Sequence, residues 1–177
     1  MSETDEGLSK GLARLNSLSE ADAASELLKC CGSSRWANRL ARRMPFDDFQ
    51  QLTAEADRIW ADLEPKDWLE AFSHHPKIGE KRAAPAQSAE AARWSQQEQS
   101  GTSAAQQGAL SELESLNRAY EDRFGYIFIV CATGKTTEEM LALLKERLGN
   151  EPRRELHIAA REQQRITHLR LRKLLEK

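Results

Sequence analysis

One short run, YIFIVC at residues 126–131, is aromatic and β-branched and too short to be a buried helix. No second run of that kind accompanies it, so it cannot belong to a sheet of any size. The remaining order must come from helices. The 177 residues suffice for one domain that buries roughly two-thirds of the surface its unfolded chain would expose, without a disulfide or metal staple. The expected fold is all-α, a single-domain bundle of about seven to nine helices with one extended segment near residues 126–131. Residues 1–15, polar and charged, are read as a flexible leader to a domain over 16–177.

Start and stop signals divide that domain. Ser17 with Glu20 three residues on opens a helix that ends at Gly32. A short helix from Ser34 carries Trp36 and Leu40 and stops before Pro45. Asp47 reads as the N-cap of a helix bearing Phe49, Leu52, Ala56, Ile59 and Leu63 at amphipathic spacing. Pro65 suits the first turn of the next helix, which ends at His74 and His75, because the ring of Pro76 disfavours helical geometry at the residue before it. After a loop containing Pro85 come helices from Ser88, from beyond Ser100-Gly101-Thr102, from Thr136 to Gly149, and from Pro152 to the end.

Composition excludes several functions. Lysine and arginine number 26 against 28 acidic residues, and the two signs are interspersed, which argues against nucleic-acid or membrane-surface binding. Cys30, Cys31 and Cys131 lack the spacing of a zinc or redox motif and read as reduced, partly buried thiols of a cytoplasmic protein. No apolar run approaches the ~20 residues needed to cross a bilayer, and the opening MSETDEGLSK has no signal-peptide hydrophobic region.

Four places carry candidate chemistry. His75, before Pro76, should sit on an extended segment with its imidazole clear of the helix, and histidine can accept and return a proton near neutral pH. On a helix, Ser95, Glu98 and Gln99 project from one face beside Trp94, and they fit a solvated face as well as a site. In the last helix Arg170 falls on the stripe of Leu156, Ala159, Gln163, Ile166 and Leu174. A charge there must meet a carboxylate or an anionic ligand, or snorkel outward. ATGKTT, residues 132–137, resembles the end of a phosphate-binding loop, but Ile129 stands where that loop needs glycine, so a turn into a capped helix is the better reading. His157 and His168 read as surface groups.

The segments LEAFSHHPKIGE, WSQQEQSG, FGYIFIVCATGK and RITHLRLRKLLE, with the earlier CCGSSRW, closely resemble the 2-oxo-4-hydroxy-4-carboxy-5-ureidoimidazoline (OHCU) decarboxylase family over about residues 15–176. FGYIFI is similar to the form fused to a hydroxyisourate hydrolase in plants. The resemblance implies an all-helical homodimer that turns OHCU into (S)-allantoin, a carboxy-lyase in urate degradation with no cofactor and no metal, coupled to urate oxidase and hydroxyisourate hydrolase. It implies that His75, Glu98 and Arg170 are catalytic. It further implies substrate contacts from Pro76, Ser95, Gln99 and the backbone of Ile127, Phe128, Ile129 and Val130. His74 stands beside the catalytic position where other members carry a different residue. Two alternatives are a helical interaction module without catalysis and a hydrolase or lyase of another ureide.

Overall fold

The computed structural model describes residues 3–77, 88–98 and 107–177, and places nine helices and no strand among them. The expected loop at Pro85 and the break at Ser100-Gly101-Thr102 lie outside the described residues. The chain divides into two compact units. Unit 1 comprises residues 1–70 and 164–177, and unit 2 comprises residues 71–163.

Unit 1 begins with a correction. The opening residues, read as flexible, form helix α1 (Glu3–Asn16). Leu8, Leu12 and Leu15 are buried at helical spacing. Gly11 lets α1 approach the end of the chain closely, since a Cβ there would lie 1.8 Å from the Leu175 carbonyl oxygen. Arg14 Nη2 donates to the Leu174 carbonyl at 2.7 Å, satisfying an end the last helix leaves open. These partners lie at the far end of the chain, so local polarity gave no sign of them.

The starts of the second and fourth helices are shifted, while the third begins at Ser34 as expected. Helix α2 (Glu20–Cys31) is capped by Ser19, whose side chain accepts from the Asp22 N–H, while Ser17 Oγ donates back to the Arg14 carbonyl and finishes α1. Gly32, at φ 87°, closes α2 as expected. Helix α3 (Ser34–Ala41) is capped by Ser33. Helix α4 (Phe49–Ala61) is capped by Asp48 rather than Asp47, because Asp48 Oδ1 accepts from the Gln51 N–H at 2.7 Å. Buried Trp36 and Trp68 satisfy their indole N–H groups on the carbonyls of Ala56 and Trp60, at 3.0 and 3.1 Å. Helix α5 (Pro65–Ser73) starts at its proline and stops where Pro76 requires.

Unit 2 contains α6 (Ala89–Glu98), α7 (Gln107–Phe124), α8 (Thr137–Leu148) and the first half of α9 (Pro152–Leu175). Thr136 and Glu139 form a capping box at the start of α8. Leu113, Tyr120, Met140 and Leu144 make a core into which Phe128, Val130 and Ala132 insert at alternate positions of the extended segment.

Candidate active site

His75 closes a tight turn off α5, with its N–H on the Phe72 carbonyl at 3.1 Å. Its ring is buried, and Nε2 lies 2.7 Å from Gln163 Oε1. Gln163 is itself fully buried on the apolar stripe of α9. His74 and Pro76 are half-buried.

Helix α6 resolves an alternative the residues left open. Ala91, Trp94, Ser95 and Glu98 are all buried, at i, i+3, i+4 and i+7, so the hydroxyl and the carboxylate share the inward face with the tryptophan instead of a solvated one. Gln99 lies outside the described residues. Glu98 is near enough to the extended segment to act on its thiol. Burial pushes the Cys131 thiol up, and the Glu162 and Glu98 carboxylates add to the rise against the opposing Lys135 ammonium.

The extended segment has no strand beside it among the described residues, so side chains satisfy its backbone. Cys131 N–H donates to Glu162 Oε2 at 2.8 Å, and the Ile129 carbonyl accepts from Arg147 Nη1 at 2.8 Å. That bond engages one lone pair of a carbonyl expected to meet substrate. Ile127 is half-buried, and Phe128, Ile129 and Val130 are buried. Arg147 is held in turn. Its Nε donates to Glu155 Oε1 at 2.8 Å, and its guanidinium lies 4.5 Å over the Phe128 ring. Glu155 also accepts from the Tyr120 hydroxyl at 2.5 Å and from Asn150 Nδ2 at 2.7 Å. Burial, then the bond to Glu155, holds the Tyr120 hydroxyl far above the usual phenol range.

Arg170 lies in unit 1, fully buried on the stripe where periodicity placed it, and its charge opposes the rise that burial causes in the Cys30 and Cys31 thiols. His157 is exposed, whereas His168 pairs with Asp57 at 2.6 Å. ATGKTT forms the expected turn, with Gly134 at φ 79°. Among the described residues no group of three or more His, Cys, Asp or Glu side chains could hold a metal ion, and no helix is long and apolar enough to cross a membrane.

Sequence reasoning missed Glu155, Glu162, Arg147 and the role of Gln163. One signal was available: Gln163, like Arg170, is a polar residue on an apolar stripe and needs a buried partner.

Comparison with known proteins agrees with this picture. The family model described as OHCU decarboxylase matches residues 16–172. A uric acid degradation bifunctional protein of Arabidopsis thaliana is 44% identical over 146 residues, covering 82% of this chain and 45% of that protein. A 2-oxo-4-hydroxy-4-carboxy-5-ureidoimidazoline decarboxylase of Amia calva is 38% identical over 81 residues, 46% of each chain. The chain thus spans less than half the length of these two curated relatives. A crystal structure of an OHCU decarboxylase in the presence of (S)-allantoin superposes with TM-score 0.75 at 41% identity, covering 86% of this chain and 98% of that one.

Proposed function

We propose that this chain, which belongs to the OHCU decarboxylase family, catalyses the loss of CO2 from OHCU to give (S)-allantoin. The observation that carries this reading is the buried His75 ring, held by Gln163 in the same unit that buries Ser95 and Glu98 on one helix face. A charged module face gives no reason to bury a histidine, a hydroxyl and a carboxylate together, since desolvating polar groups costs free energy that a solvated face avoids.

The substrate supplies its own electron sink. Its carboxylate is on a carbon that bears a hydroxyl and adjoins a ring C=N bond, so when the bond to CO2 breaks its electron pair moves toward the imine. The imine nitrogen takes up a proton from solvent, the hydroxyl proton leaves as the carbonyl forms, and the neighbouring carbon takes a proton and becomes the stereocentre. No pyridoxal or thiamin cofactor is needed for that flow. We assign the hydroxyl proton to His75. Glu98 accepts hydrogen bonds from ring or ureido N–H groups and presents one face for protonation, while Ser95, Pro76, Gln99 and the backbone of residues 127–130 complete the contacts. No step is assigned to Arg170.

The companion reactions are those of urate oxidase and hydroxyisourate hydrolase, which lead from urate to this substrate. We read the enzyme as a homodimer in the cytoplasm, where free thiols stay reduced. The test is to follow the optical rotation and CO2 release of allantoin formation from urate, urate oxidase and hydroxyisourate hydrolase, with and without this protein. Faster CO2 release and a dextrorotatory product are expected only with it. Unchanged rates and racemic product would refute the reading.

A further inference from the structure

We propose that Glu162 and Gln163 of α9 are positioning residues: Gln163 holds the His75 ring with Nδ1 as the nitrogen that takes the substrate's hydroxyl proton, and Glu162 holds the extended segment in register with that ring. The proposal deepens the decarboxylase reading and rests on it.

The starting point is burial. Gln163 lies at 0% exposure, on a stripe shared with Ala159 and Ile166, where an amide must be matched by a partner. Its Oε1 faces His75 Nε2 at 2.7 Å. A carboxamide oxygen accepts and cannot donate, so the neutral ring facing it carries its hydrogen on Nε2, which leaves Nδ1 as the acceptor nitrogen. At Nε2 the partner is an amide, which orients the ring by hydrogen bonding and brings no charge of its own.

Glu162 does for the segment what Gln163 does for the ring. Among the described residues no strand ladder sets the register of the extended segment, and the 2.8 Å bond from Cys131 N–H to Glu162 Oε2 supplies a fixed point. Because the two residues are neighbours, their Cα atoms are about 3.8 Å apart on a stiff helical turn. The acid–base nitrogen and the binding segment are thus referenced to one rigid element, as a reaction sensitive to small misplacements requires.

The test combines a measurement without substrate and one with it. In the whole chain labelled with 15N, two-bond 15N–1H spectra should show neutral His75 as the Nε2–H tautomer, and Gln163→Met should lose that single form. With OHCU, Gln163→Met should lower kcat by about a hundredfold while KM moves by no more than about twofold. Glu162→Ala should instead raise KM, and Glu162→Gln, whose amide oxygen still accepts from Cys131 N–H, should restore it. A Nδ1–H ring in the unaltered protein would overturn the proposal. So would normal kcat in a folded Gln163→Met variant, or a Glu162→Gln variant as weak as Glu162→Ala. Should Gln163→Met fail to fold, the tautomer of the unaltered protein and the two Glu162 variants still decide it. If the unaltered protein releases no CO2 from OHCU, the decarboxylase reading has failed, and the tautomer spectrum still shows whether Gln163 holds the ring.

Discussion

Arg147 and Glu155 form an ion pair inside unit 2 with side chains only 6% and 0% exposed. Arg147 Nη2 lies 2.6 Å from Glu155 Oε1 at ion-pair distance without hydrogen-bond alignment, while Nε supplies the aligned bond to the same oxygen at 2.8 Å. The pair links the end of α8 to the start of α9 and, through the Ile129 carbonyl, to the extended segment.

Removing one partner leaves the other charge buried. Arg147→Met should therefore destabilise the fold by about 3–5 kcal/mol, read as a lower urea midpoint with an unchanged slope. Arg147→Lys keeps the charge but loses the guanidinium's reach to both Glu155 and Ile129, and should fall between the two. The double variant Arg147→Met, Glu155→Gln should be more stable than the sum of its single losses, because no lone charge remains.

His75 and His74 are adjacent yet differently placed, one buried on Gln163 and the other half-buried. His75→Ala should keep the helical circular dichroism and lower decarboxylation by roughly a hundredfold or more. His74→Ala should do much less. Equal losses would show that the wrong ring has been assigned.

Glu98 sits at the end of α6 on its buried face with Ser95 and Trp94. Glu98→Gln preserves shape but, on the proposed function, presents a donor where substrate N–H groups need an acceptor. Turnover should slow, and once spontaneous decay is subtracted the product should approach a racemate by chiral chromatography. Near-normal rate with full enantiomeric excess would remove Glu98 from the site.

Burial pushes both thiols of α2 up from an ordinary value of 9.0, Cys31 to about 12 and Cys30 further. A folded-state value above the unfolded one means the unfolded chain releases these protons first. Their contribution is therefore fully present below pH 9 and is lost as pH rises from 9 toward the folded values. The slope should approach about 1.4 kcal/mol per pH unit for each thiol in that window, seen as a Tm that falls with alkali. At neutral pH, Ellman's reagent should label Cys30 and Cys31 only at the rate of unfolding.

The all-helical class and nearly every helix were legible in the residues, because apolar spacing, the start at Pro65 and the stops at Gly32 and Pro76 act within a few residues of themselves. Local signals also sufficed for the non-helical course of YIFIVC and the inward position of Arg170. They failed by one or two residues at the caps. Ser17 and Ser19, or Asp47 and Asp48, offer the same side-chain oxygen, and only backbone geometry selects which one meets an N–H. The largest failure was α1, whose stability comes from the passage of Gly11 against Leu175 and the bond from Arg14 to Leu174, 160 residues away. The sequence could place Ser95 and Glu98 together on α6 but could not say that this face is buried. Nor could it pair Gln163 with His75, Glu162 with Cys131, or Arg147 with Glu155 and Ile129. Periodicity specifies which residues share a helix face, whereas the partner of a buried polar group is whatever the packed chain brings within hydrogen-bond distance, and that only the tertiary structure decides.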